Sequence, residues 1–146
     1  SVGLEYRDPS YWWISANINY LTNNYIDVSA ISRTKIFYKN PASGFNFPEA
    51  TEERAAELLK QEKFDPLMLL NLVGGKSWRI HGKNFGVFAS VNNVLDVTYK
   101  TGGYEQARNA NFRKMNQDVS SGTPSFGNKY FYGYGRTYFV NLYINL

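Results

Sequence analysis

The chain has 146 residues, enough for one domain, and its formal charge of +4 is scattered without a block of like charge or a Lys/Arg-rich run, so nucleic acid is not an expected partner. Cysteine is absent, which excludes a disulfide framework and a thiolate metal site. Aromatic residues make up 17% of the chain, with many Asn and Gly beside them, a mixture that favours strands and turns over helices.

Ser1 to Arg7 carry neither a basic start nor an apolar run, so any targeting segment is expected upstream of Ser1. A partial strand is expected over Val2 to Arg7, followed by a turn at Asp8-Pro9-Ser10. Residues 12 to 28 then alternate, with Trp12, Ile14, Ala16, Ile18 and Tyr20 on one parity and Trp13, Ser15, Asn17 and Asn19 on the other. That pattern predicts a long strand with one wet face. In the connection that follows, Pro48 suits a first helical turn, and Glu49 to Lys60 are helix formers with the acids leading and Lys60 and Lys63 behind. Ala55, Leu58 and Leu59 are its expected packing face.

Residues 67 to 80 form the next expected strand, with Met68, Leu70, Leu72, Trp78 and Ile80 opposed to Asn71, Gly75, Ser77 and Arg79. A turn at His81-Gly82-Lys83-Asn84 leads into Phe85, Val87, Ala89 and Val91, making a hairpin. The last strand is expected over Lys129 to Leu146, with Tyr130, Tyr132, Tyr134, Tyr138, Val140, Leu142 and Ile144 on one parity.

Short turns at 8–10 and 81–84 alternate with long connections at 29–65 and 97–128. In an up-and-down barrel this puts the short turns at one end and the long loops at the other, the asymmetry of outer-membrane barrels. The longest apolar runs are far below the ~18 residues of a spanning helix, so an integral membrane form of this sequence has to be a barrel. The expected fold class is therefore all-β: an antiparallel up-and-down transmembrane β-barrel segment of four to five strands, with a short helix in one long extracellular loop. Closed single-chain barrels of this class begin at about eight strands, so the barrel is expected to be incomplete within these residues. The closing strand is then expected to have an unpaired edge, or to borrow one from a neighbour.

Three stretches resemble the C-terminal end of TonB-dependent receptors, particularly those of Bacteroidota. Ser90-Val91-Asn92-Asn93-Val94-Leu95-Asp96-Val97-Thr98-Tyr99 is similar to the family's penultimate strand with its Asp ending and following Tyr. Thr101 to Asn111 is similar to a last-loop sequence of the Bacteroidota members, and Tyr130 to Phe139 to the Gly-Arg-Thr-aromatic entry of the closing strand. The resemblance implies a bacterial outer-membrane location and transport of a nutrient, with residues 1–146 as part of the barrel wall and two external loops. It also implies as partners outer-membrane lipid, the remainder of the receptor barrel and plug, TonB acting through that plug, and a surface lipoprotein. No stretch here corresponds to the plug, and Leu146 stands where the family usually ends in an aromatic. A soluble β-rich cell-surface binding module, its apolar faces packed on each other, is the alternative.

No catalytic residues, cofactor or metal site are expected. His81 is the sole histidine and falls in a turn, Glu52, Glu53 and Glu57 lie on the solvated helix, and Gly102-Gly103 and Gly133-Tyr134-Gly135 lack the pattern of a phosphate loop. Tyr104, Glu105, Arg108, Asn109, Asn111, Phe112 and Arg113 are the candidate ligand-binding residues of an external loop, because aromatic and Arg side chains recur at recognition surfaces. Trp12, Tyr20, Tyr130, Tyr132, Tyr134 and Tyr138 are the candidate membrane-interface aromatics.

Overall fold

Alternation of apolar and polar residues pairs most of the strands into one antiparallel sheet. A computed structural model describes residues 1–106 and 111–145 and divides the chain into two units. The first comprises Ser1–Thr22, Asp65–Tyr99 and Tyr132–Leu146, and the second Asn23–Phe64 and Lys100–Phe131.

The first unit is an open five-stranded sheet. Its strands are β1 (Val2–Asp8), β2 (Trp12–Leu21), β3 (Leu67–Ile80), β4 (Lys83–Asn92) and β7 (Thr137–Asn145), in the order β1-β2-β3-β4-β7. All four pairings are antiparallel, and β1 and β7 are its edges. The β3–β4 turn is shorter than expected. Only His81 and Gly82 lie outside the ladder, both at positive φ (49° and 80°), and Lys83 already pairs with Ile80. A two-residue turn with both residues left-handed matches the twist of the flanking strands. Between β1 and β2, Tyr11 takes φ 63° and donates its N–H to the Asp8 carbonyl.

Two expected strands are cut. The strand expected over 12–28 ends at Leu21, because Asn23 turns left-handed (φ 61°); Tyr25 and Asp27 then make isolated bridges to Lys63 and Tyr104 in the second unit. The strand expected over Lys129–Leu146 is divided into β6 (Lys129–Tyr132) and β7. Residues 133–136 leave the ladder because side chains take their backbone groups: Asn93 Nδ2 donates to the Tyr134 carbonyl and the Arg136 N–H donates to Asp96.

The second unit occupies the long connections. β6 pairs with β5 (Lys100–Tyr104) as a small two-stranded sheet, and α2 (Phe112–Ser120) follows the last-loop stretch, where no helix was expected. The helix expected over 49–60 begins later, as α1 (Glu52–Leu58), because Thr51 is its cap and accepts the Arg54 N–H at 3.2 Å. Asn111 caps α2 in the same way, accepting from the Lys114 N–H. Phe37, Phe47, Ala55 and Phe112 form the buried core of this unit, with Leu58, Leu59 and Met115 packed against it.

Candidate functional site

The strand registers decide which side chains share a face. Leu4, Ala16, Leu72, Val91 and Tyr138 stand in one row across all five strands, and Tyr6, Ile14, Gly74, Ala89 and Val140 in the next. Val2, Ile18 and Leu70 continue toward the long-connection end; Trp12, Val87 and Leu142, then Trp78, Phe85 and Ile144, continue toward the short turns. Every strand thus turns its apolar parity to the same side. On the edge strands this face is open, with Leu4 78% exposed, Val140 64% and Leu142 77%, while Leu70, Leu72, Val87, Ala89 and Val91 of the central strands are half-buried.

The opposite face is richer in polar residues, with Ser15, Asn17, Asn71, Ser77, Ser90 and Asn141 on it together with Leu69 and Val73 of β3. Along β2 its side chains are half-buried, whereas Trp12, Ile14, Ile18 and Tyr20 of the apolar face are exposed. Trp13, Phe88 and Phe139 cross the polar face in a chain of ring contacts 6.1 Å apart. Two glycines make room for large neighbours there. A Cβ at Gly86 would fall inside the ring of Tyr143, whose hydroxyl meets Ser77 Oγ at 2.9 Å, and one at Gly75 would meet the Trp13 indole at 2.9 Å. Along the edge strands and β2 the apolar parity is thus left more open than is usual for a sheet in water.

Residues 93–97 form a tight hydrogen-bonded loop after β4. Asn93 is buried, sits at φ 51°, and closes its own loop by donating Nδ2 to the Val97 carbonyl and accepting the Val97 N–H. Its backbone N–H is taken by Asn71 of β3. With Asp96, at φ 55°, receiving Arg136, the motif sets where the chain enters β7. Asn and Asp are the non-glycine residues that best tolerate this backbone conformation.

Arg108 and Asn109 lie outside the described residues. The other candidate ligand residues are occupied within the second unit. Phe112 is fully buried, with 0% exposure, against Phe37. Asn111 is a helix cap, Tyr104 packs on the Phe131 ring, and Arg113 lies over Phe47 at 4.4 Å while pairing with Glu49 at 2.5 Å. Glu105 accepts from both terminal nitrogens of Arg33 and from the Ser29 N–H. Burial works to raise the Glu105 carboxyl, but the Arg33 and Ser29 hydrogen bonds outweigh it and hold the group below its ordinary value.

A cluster not anticipated from sequence centres on Glu62. It accepts from Lys100 Nζ at 2.7 Å, Asn128 Nδ2 at 2.9 Å and the Tyr130 hydroxyl at 2.6 Å, and Lys100 sits 3.6 Å from the centre of the Tyr130 ring. Burial pushes Glu62 up, yet these three donors together keep its carboxyl below the usual range. The same hydrogen bond raises the Tyr130 phenol, since an anion next to Glu62 is disfavoured. Nearby, a cleft of about 430 Å³ runs between Leu58, Leu59, Met115, Val119, Phe126 and Tyr130. Asp118 lines it with both carboxylate oxygens already taken by the Ser125 and Phe126 N–H groups.

Of the candidate interface aromatics, Trp12, Tyr20 and Tyr138 stand on the apolar face. Tyr130 and Tyr132 belong to β6, and Tyr134 is an exposed residue of the break before β7. Tyr6, Trp78 and Phe85 join the apolar face without having been singled out as interface residues; their parity is the signal that identifies them. Among the described residues no group of acids or His has the arrangement of a metal site, and no helix is long and apolar enough to cross a membrane. No family model, curated protein or solved structure matches the chain.

Proposed function

We propose that this chain forms part of the wall of an outer-membrane β-barrel, as the C-terminal barrel segment of a TonB-dependent receptor that imports a nutrient. The observation that carries the proposal is the register: five strands turn their apolar parity to one uncovered face and their polar parity to the other. In water a face of this size needs a partner, whereas in a bilayer the lipid is the partner.

The dimensions agree with that environment. From Met68 to Trp78 this parity of β3, apolar but for Gly74 and Lys76, covers ten residue steps, about 33 Å along the strand at ~3.3 Å per residue. At the ~40° tilt of such barrels this is about 25 Å of height, the thickness of their apolar band. Tyr20 lies toward one margin, and Trp12, Trp78 and Phe85 toward the other, where aromatic girdles belong. The edges of β1 and β7 are then joined to further strands of the same receptor, and the polar face lines the lumen beside the plug. The chain acts as a passive wall, with external loops built from 23–64 and 100–131, and TonB acts through the plug.

In the alternative, a soluble cell-surface module, the apolar faces pack on each other. The deciding experiment is extraction and gel migration of the protein without heating. A barrel wall requires detergent and migrates differently before and after boiling; a protein that is monodisperse in plain buffer and migrates identically in both conditions overturns the reading.

A further inference from the structure

The Glu62 cluster holds more than an ion pair, because the side chains it gathers are those of an amide-forming reaction. One carboxylate receives Lys100 Nζ on Oε1 at 2.7 Å and Asn128 Nδ2 on Oε2 at 2.9 Å. A primary amine and a primary amide thus share one acid–base group. The Tyr130 hydroxyl steadies that carboxylate by donating to Oε2 at 2.6 Å. Lys100 Nζ lies 3.6 Å from the centre of the Tyr130 ring and 5.4 Å from that of buried Phe64, so two rings confine the amine at the carboxylate.

We propose that Lys100 and Asn128 join in an intramolecular isopeptide bond, with Glu62 as the catalytic acid–base. Lys100 Nζ passes a proton to Glu62 and, as the free amine, attacks Cγ of Asn128, so that a C–N bond forms. The Cγ–Nδ2 bond then breaks. Of the two protons that Nζ gives up in all, Glu62 delivers one to Nδ2, which leaves as ammonia, and the other departs with it as ammonium. No oxidant or other co-reactant is consumed. The orientation of Asn128 suits this sequence, because its nitrogen, the group that has to leave, faces the carboxylate that protonates it.

Burial works to raise the Glu62 carboxyl, but its three donors hold it below its ordinary value, so the resting pair is ionic and the first proton transfer runs uphill. That slows the reaction without preventing it. The bond has to form only once in each molecule, and groups held together react far faster than the same groups free in solution. The Lys100 and Glu62 side chains are each 30% exposed, which leaves the ammonia a way out. The link would tie the first residue of β5 to the residue before β6, a covalent brace for the second unit in a chain without cysteine. It needs only the fold of that unit and does not rest on the barrel reading.

The test is the intact mass of the purified chain after prolonged incubation in the folded state, followed by tandem mass spectrometry of a protease digest. Wild type is expected to be lighter than its sequence by one ammonia and to yield a branched peptide carrying both Lys100 and Asn128. Lys100→Arg should restore the full mass, because it keeps a cation beside Glu62 but removes the amine that attacks. Glu62→Gln should slow accumulation of the lighter species by about 10²–10⁴-fold, the usual contribution of a positioned acid–base group. Wild type at full sequence mass overturns the proposal whether or not either variant folds. Loss of ammonia that persists in Lys100→Arg, or a digest in which Lys100 and Asn128 appear only on separate peptides, overturns it equally, since the loss then arises elsewhere in the chain.

Discussion

Arginine at position 14 separates a lipid-facing sheet from a water-facing one. Ile14 is central on the apolar face, paired with Tyr6 on one side and Gly74 on the other, and is 47% exposed. If that exposed half meets hydrocarbon, Ile14→Arg puts a guanidinium near mid-bilayer at a cost of about 2–4 kcal/mol, roughly a 30- to 900-fold loss in the folding equilibrium. If it meets water, the charge is solvated and the arginine stem covers much of the surface the isoleucine covered, so the loss stays under about 1 kcal/mol. Ser15→Arg is the internal control: one residue away, on the polar face, directly across from Glu5. It should cost less than about 1 kcal/mol in either medium. The measurement is guanidinium unfolding in phosphatidylcholine vesicles, followed by tryptophan emission and by the gel shift. Costs for the two arginines that agree within about 0.5 kcal/mol would refute the assignment of the apolar face to lipid.

Phe112→Ala should destabilise the second unit by about 3–5 kcal/mol, because a fully buried ring leaves a cavity beside Phe37 and Phe47, and proteolysis within 23–64 and 100–131 should accelerate while the gel shift persists. If that proteolysis is unchanged, Phe112 has no packing role. Gly86→Ala should lose about 1–3 kcal/mol by driving a methyl into Tyr143, and Tyr143→Ala in the same chain should remove most of that penalty; additive losses in the double variant would show that the ring is not the obstacle. The second unit should loosen in acid. Since the Glu62 carboxyl is lowered on folding, the unfolded chain binds the proton first; the contribution is full above the ordinary value near 4.5 and is lost as pH falls through the lower folded value. Acid-dependent proteolysis should therefore shift between wild type and Glu62→Gln, and identical profiles would remove Glu62 from the account.

The strands were largely legible because their period-two alternation is a local signal repeated over many residues. β3 occupies the range that signal predicts, and β1 and β4 differ from expectation only at their ends. The loop helix was legible as composition, but its start was not, since Thr51 becomes a cap only once its hydroxyl meets the Arg54 N–H. The candidate ligand residues were chosen by residue type. Most of them also cap, pack or pair within the second unit, contacts that residue type alone does not reveal.

What the sequence determined alone is the two-faced character of each strand and the alternation of short turns with long connections, both properties of neighbouring residues. What the tertiary structure decided is that all five apolar parities fall on one face, because a one-residue slip in any register would have turned that strand over. It also decided that Lys129–Tyr132 pairs with Lys100–Tyr104 rather than extending the last strand, since Asn93 and Asp96 take up the backbone of residues 134 and 136. The Glu62 cluster joins residues 38 to 68 positions apart in the chain, a separation at which only the folded backbone brings donors to an acceptor.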